Sequence, residues 1–330
     1  MTLSLSREGL ERDAAKMGFE PATYEKVIRL LTLLNRITAD ADLGPYFVLK
    51  GGTALNLFVF DDIPRLSVDI DLNYIGAPDV DSMRAARPPL EDRLSRLCQS
   101  VGLTPRRIAP SHAGGKWILP YRNALGMMDR VEIDLNYVLR VPLWDVQLRE
   151  SITLGTVCAQ NVAVLDEHEL AGAKLVALLT RTASRDLFDA HHLFSMHSLD
   201  VQRLRLVTVV YGAMSNTDWR TVTVDQITVD ANDVRQKLLP VLRLQTHRTT
   251  TETLKWARSL IEATRVGLST ILPLKSHERD FITRVREHRE IRADLLTDDP
   301  ELRRRIEAQP MLRWRANQSE IQTAPEEATQ

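Results

Sequence analysis

The stretch LKGGTALNLFVFDDIPRLSVDIDLNYIG, Leu49 to Gly76, decides how this chain is read. Tyr46, Phe47, Val48 and Leu49 predict a short strand that runs into Gly51-Gly52-Thr53. ALNLFVF then predicts a helix. Glycine lets a backbone approach a phosphate closely, and the start of a helix offers unpaired N–H groups. Thr53 adds a hydroxyl. A plain turn between strand and helix has the same composition. Pro64 precedes a second predicted strand, Leu66 to Tyr74, in which polar and apolar residues alternate. Period two puts Ser67, Asp69 and Asp71 on one face and Val68, Ile70 and Leu72 on the core face. Two adjacent carboxylates repel and lose solvation when partly buried, so they need a partner. A divalent cation is the simplest one. Mg²⁺ prefers carboxylate, water and phosphate oxygens, and two such ions can clamp the attacking and leaving oxygens of phosphoryl transfer. An exposed acidic strand face is the alternative.

A third acid is expected from a neighbouring strand. RVEIDLNY, from Arg130, places Glu132 and Asp134 on one face and Val131, Ile133 and Leu135 on the other. Asp134 is the first candidate and Glu132 the reserve. KWILPY, from Lys116, predicts a further strand. Upstream, Tyr24, Val27, Leu30, Leu31, Leu34 and Ile37 recur at helical spacing, between Pro21 and Gly44-Pro45. A polar amphipathic helix is expected from about Ser82 to Val101.

Beyond about Leu165 the pattern turns helical. DEHELAGAKLVALLTR has an acidic first turn that suits the helix dipole, and RDLFDAHHLF continues or restarts it. If that helix is continuous, Lys174, Leu178, Arg181 and Arg185 share one face and form a cationic stripe. Asp186 and Asp189 lie beside it. Adjacent His191 and His192 diverge on a helix and make a poor zinc site. Further on, HERDFITRVREHREIRADLL and LRRRIEAQPMLRWRANQ favour arginine, whose guanidinium contacts phosphates and stacks on bases. Glu287, Glu290, Asp294, Asp298 and Asp299 interleave, so a salt-bridged surface is the alternative. The tail SEIQTAPEEATQ is polar and expected to fray. The chain therefore divides into an α/β half, 1–165, and a helical half, 166–330.

Composition narrows the function classes. The chain has 330 residues, 44% of them hydrophobic, enough for about two domains. Lys+Arg 43 against Asp+Glu 44 leaves a net charge of -1, so any basic surface is local. Two cysteines, Cys98 and Cys158, exclude a disulfide scaffold and a Cys-rich zinc module. No run approaches the ~20 apolar residues of a membrane span, and the first residues lack an apolar signal core. A soluble cytoplasmic protein is expected.

The segment resembles the AbiEii/AbiGii-type nucleotidyltransferase toxins, related to the mycobacterial MenT toxins, within the DNA polymerase β-like nucleotidyltransferase superfamily. The resemblance rests on Gly51-Gly52-Thr53-Ala54-Leu55 and Arg65-x-Ser67-x-Asp69-Ile70-Asp71-Leu72. Downstream it rests on Lys174-Leu175-x-Ala177, Arg181 and Arg185-Asp186-Leu187-x-Asp189. It implies an α+β fold: a polymerase β-like core with a mixed sheet and flanking helices, then a helical C-terminal domain. It implies that Gly51, Gly52, Thr53, Ser67 and Arg65 hold a nucleoside triphosphate. Asp69, Asp71 and Asp134 would bind Mg²⁺, with Mn²⁺ the alternative ion, and Asp134 would help activate the attacking hydroxyl. Lys174 would reach the phosphates, supported by Glu132, Arg181, Arg185, Asp186 and Asp189.

The implied reaction transfers a nucleoside monophosphate from NTP to an RNA acceptor, most often the tRNA 3′ end, and so blocks aminoacylation. A cognate antitoxin is implied, in certain relatives one that phosphorylates the serine at the Ser67 position. Neither DNA nor a membrane is an expected partner. Two other readings stay open: AMP transfer onto a partner protein, and an inactive nucleotide- or RNA-binding module.

Overall fold

Val131, Ile133 and Leu135 are buried, while Glu132 and Asp134 between them are only half-buried. That is the period of two a strand adopts when one face meets a core. The strand belongs to a seven-stranded sheet. Its strands are β1 (Phe47–Lys50), β2 (Asp69–Tyr74), β3 (Arg106–Ser111), β4 (Gly114–Arg122), β5 (Met128–Asn136), β6 (Gln147–Arg149) and β7 (Val162–Val164). The computed structural model describes residues 6–111, 114–196, 198–244 and 249–318. The polar tail from 319 lies outside the described residues.

The strands lie in the order β3-β4-β5-β2-β1-β7-β6. β2 pairs antiparallel with β1 and parallel with β5, and β4 pairs antiparallel with β5, so the sheet is mixed. The first helices are α1 (Arg7–Met17), α2 (Pro21–Ala39), α3 (Gly51–Ala54) and α4 (Val80–Ser100). α3 widens into a single π-type turn over Leu55–Val59. α2 and α4 cover the apolar face of the sheet. There Arg29 lies over the Tyr121 ring and Trp117 Nε1 donates to Ser95 Oγ.

Helices take over at the N-cap Asp166, which accepts from the backbone of His168. They are α5 (Glu167–Arg181), α6 (Ser184–Met196), α7 (Val201–Met214), α8 (Ala231–Asp233), α9 (Thr250–Leu268), α10 (Ser276–Thr283), α11 (Pro300–Glu307) and α12 (Pro310–Asn317). One contiguous apolar core runs through both halves, from Leu10 to Leu312. No described helix is long and apolar enough to cross a membrane.

Three expectations need correction. The second strand begins at Asp69, not Leu66, because the Leu66 N–H donates to Val241 O (2.8 Å) and ties that loop to the helical half. The cationic helix face is not continuous. Thr182 takes a left-handed conformation (φ 49°) and ends α5, so Arg185 belongs to a separate helix. The sequence reading also leaves out α1 and the short strands β3, β6 and β7, whose patterns are too brief or too polar to stand out.

α5 and α7 approach each other closely because residue 172 has no side chain. A Cβ at Gly172 would run into Val207 Cγ1. Overpacking of this kind costs about 1–3 kcal/mol, so Gly172→Ala is expected to lower stability by that amount in urea unfolding. Combining it with Val207→Ala is expected to be less damaging than the sum of the two single changes, because the neighbours couple.

Candidate active site

Strand register assembles the acids. In the parallel β2–β5 pair, Asp69 lies beside Glu132 and Asp71 beside Asp134. Alternation sends all four side chains to one face. On the other flank of β2, Lys50 lies opposite Asp71. On the far side of β5, Lys116 lies opposite Asp134. The glycine turn closes against the same face: Gly51 has φ +74°, and a Cβ there would run into Asp71 Oδ2. Glycine is required at this position for both reasons.

The acids do not converge on a point. Among the described residues, no three His, Cys, Asp or Glu side chains are arranged to hold a metal ion by themselves. They remain electrically coupled. Burial, and then the charge of Asp71, raise both the Asp69 and the Asp134 carboxyls above the usual carboxylate range. Arg185 opposes this at Asp69, with Nη1 at 3.9 Å from Oδ2. Glu132 goes the other way. Burial works against its charge, but hydrogen bonds from Lys116 (3.0 Å) and Arg130 (2.7 Å) hold its carboxyl below the usual range. Beside these residues opens a cavity of about 830 Å³, lined by Asp69, Glu132, Arg106, Lys116, Arg130 and Arg185 among others.

A second group lies beneath the turn. Asp189 is fully buried and accepts both prongs of the Arg65 guanidinium, Nε and Nη2 each at 2.7 Å. Lys174 Nζ sits between Asp189 (3.0 Å) and Asp186 (2.8 Å). Arg181 completes the group on Asp186, at 2.6 Å. Asn56 Nδ2 bridges Asp189 (3.2 Å) and Gly52 O (2.9 Å), which ties the buried ions to the turn. Burial works against the Asp189 charge, but Arg65 and Lys174 hold its carboxyl far below the usual range. Above these buried ions, Thr53 Oγ1 donates to Asp69 O (2.5 Å) and lies 3.0 Å from the Ser67 hydroxyl.

Sequence reading and geometry part company at two cations. Lys174 and Arg65 are the cations expected at the phosphates. Both are buried, and their charges are taken up by Asp186 and Asp189 rather than turned toward the carboxylate face. Arg185 lines the cavity instead. Lys116, Lys50 and Arg130 were missed: the pairing of β1 and β4 brings the two lysines to the acids, and Arg130 reaches Glu132 along β5 itself. His192 packs against Phe60 at 4.5 Å, and His191 lies 3.4 Å from Ser195 Oγ. The C-terminal arginines are largely engaged: Arg284 with Asp280 and Glu290, Arg303 with Asp298, Arg305 with Glu301 and Asp145. Trp314 is half-exposed beside Arg315.

Paired acids on one strand, acids in register on the next and a glycine turn pressed against them are the parts of a nucleotidyltransferase, and that is the class of this enzyme. The chain belongs to the AbiEii family: the family model for the nucleotidyl transferase AbiEii toxin of type IV toxin–antitoxin systems matches residues 32–326. MenT4, a nucleotidyltransferase toxin from Mycobacterium tuberculosis H37Rv, has a similar fold. Its TM-score is 0.58 at 17% identity, covering 94% of this chain and 99% of that one. No curated protein matches the chain.

The two acid groups have opposite linkage to pH. A carboxyl whose folded pKa is raised gives stability while protonated and loses it as pH rises through the folded value. Asp69→Asn is therefore expected to raise stability at pH 7, by a few tenths to about 1 kcal/mol because the side chain is over a third exposed. The gain should fade below about pH 4, where both forms are neutral. Asp189, whose pKa is lowered, stabilises above the usual carboxylate range and stops doing so as pH falls. Asp189→Asn leaves Arg65 and Lys174 buried with less counter-charge and is expected to lose about 3–5 kcal/mol. Denaturant titrations across pH check both.

Proposed function

We propose that this enzyme transfers a nucleoside monophosphate from NTP to the 3′ hydroxyl of an RNA, tRNA foremost, in a reaction that needs a divalent cation. The observation that carries the reading is the register of Asp69 and Asp71 against Glu132 and Asp134 beside the Gly51-Gly52 turn. The donor set suits a hard cation. Mg²⁺ commonly takes one or two carboxylates and completes its shell with water and substrate phosphate, so a closed protein cage is not required. Asp69, Asp71 and Asp134 would hold it, and when bound it would neutralise phosphate charge and orient the oxygens that exchange.

The chain's own residues supply the remainder. Backbone N–H groups of Gly51, Gly52 and Thr53 face the triphosphate, with the Ser67 hydroxyl beside them. Lys174 and Arg65 act through Asp189 and Asn56 to keep that turn in place. The acceptor oxygen bonds to the α-phosphorus, the α–β phosphoanhydride bond breaks, and pyrophosphate leaves. Asp134, in register with Asp71, accepts the hydroxyl proton. The cavity lined by β4 and β5 residues carries Arg106, Lys116, Arg130 and Arg185, and its cations suit an RNA backbone.

Ser67 is the point where we place control by the antitoxin. Its hydroxyl lies in the contact between Thr53 and Gly52, so a phosphate on it would fill the room that the nucleotide needs. Modification requires this loop to open, since Ser67 is buried.

Incubation with each labelled NTP, total tRNA and Mg²⁺ tests the reading. Label is expected on RNA, and Asp71→Ala or Asp134→Ala is expected to reduce it at least about 100-fold, the scale of losing an acid–base group. Label on protein would favour AMP transfer to a partner. Unlabelled RNA with all four NTPs would exclude the RNA acceptor.

A further inference from the structure

Lys116 lies outside the stretches that carry the resemblance, yet it reaches the acids of β5. The β4–β5 pairing sets it opposite Asp134, and alternation turns its side chain to the acidic face. Its ammonium lies 3.0 Å from Glu132 Oε2 and 3.7 Å from Asp134 Oδ2. It is thus a single charge shared between the acid proposed to receive the proton and that acid's neighbour. It is also able to leave. The side chain is 39% exposed, it lines the cavity of about 830 Å³, and its four-carbon stem is flexible.

We propose that Lys116, anchored on Glu132, is the resident counter-ion of the acidic face, a positioning residue that competes with the divalent cation for Asp134. The inference rests on the nucleotidyl-transfer reading of these acids. Four carboxylates in neighbouring register repel strongly when nothing offsets them. Lys116 offsets two of them in the metal-free protein. A free divalent ion must displace the ammonium to gain Asp134, and it gains only the carboxylates in return. An ion arriving with nucleotide brings phosphate oxygens to complete its shell. Lys116 therefore holds a free ion off, and the phosphate contacts of a nucleotide-bound ion offset the cost of displacing the ammonium. The displaced ammonium turns into the cavity.

The test compares wild type, Lys116→Met and Lys116→Arg as full chains. Calorimetry measures Mn²⁺ binding with and without an NTP analogue whose α–β bridge is a methylene. Lys116→Met is expected to bind Mn²⁺ alone at least about tenfold more tightly than wild type, the scale on which one charge a few Å away shifts a neighbouring ionic equilibrium. Lys116→Arg, which keeps the charge, is expected to bind Mn²⁺ alone as weakly as wild type. Metal-free Lys116→Met should melt lower than wild type at low salt and recover with Mn²⁺, as unpaired carboxylates would. Lys116→Gln serves the same test if the Met variant does not fold. If the neutral variant binds Mn²⁺ alone within about twofold of wild type while wild type binds Mn²⁺ with the analogue, the inference about Lys116 fails and the nucleotidyl reading stands. If wild type binds no Mn²⁺ in either condition, both fail.

Discussion

Parallel pairing of β2 with β5 is the constraint around which the molecule is arranged. It sets Asp69 beside Glu132 and Asp71 beside Asp134, on strands about 4.8 Å apart. Like charges at that spacing repel by about 3 kcal/mol at an effective dielectric constant of 20. The fold tolerates this because Val131, Ile133 and Leu135 on the opposite face are held by the core. A one-residue slip would exchange the faces and bury the acids. The surroundings then offset the charge: Lys116 and Arg130 on Glu132, Arg185 near Asp69, Lys50 opposite Asp71. Burial, and after it the charge of Asp71, still raise the Asp69 and Asp134 carboxyls. A catalytic site gains from that residue of strain, because a carboxylate held at a cost accepts a cation or a proton more readily.

Charge serves a different purpose a few ångströms below. The Arg65–Asp189–Lys174–Asp186 lattice is nearly closed to water, and each carboxylate has two cationic partners. Such a lattice contributes little net stability over an apolar core, but breaking it is costly. Its value here is geometric. It joins α5 and α6 to the loop before β2 and, through Asn56, to the carbonyl of Gly52. The helical half thereby fixes the turn that faces Asp71. The many ion pairs of the C-terminal arginines are exposed and contribute far less; they keep that surface charged without shaping the site.

Much of this was legible in the residues themselves. IDLNY and VEIDLNY carry the period of two without interruption, so their faces, and hence which acids stand together, follow from local geometry alone. The glycine pair before a helical run marks the close approach that Gly51 makes. The helical periodicity of Tyr24 to Ile37 and of the segment after Asp166 is equally direct. What could not be read is where a side chain goes once its element has been placed. Lys174 and Arg181 sit on one helix and Arg185 on the next because a single left-handed residue, Thr182, breaks the chain between them. Whether a lysine meets a phosphate or a buried aspartate depends on what another helix carries to the same spot. Lys116 pairs with acids from a different strand through a register that hydrogen bonds across the sheet select. Local pattern sets which way a residue points. Its partner is set by contacts between segments far apart in the chain, and no periodicity encodes those.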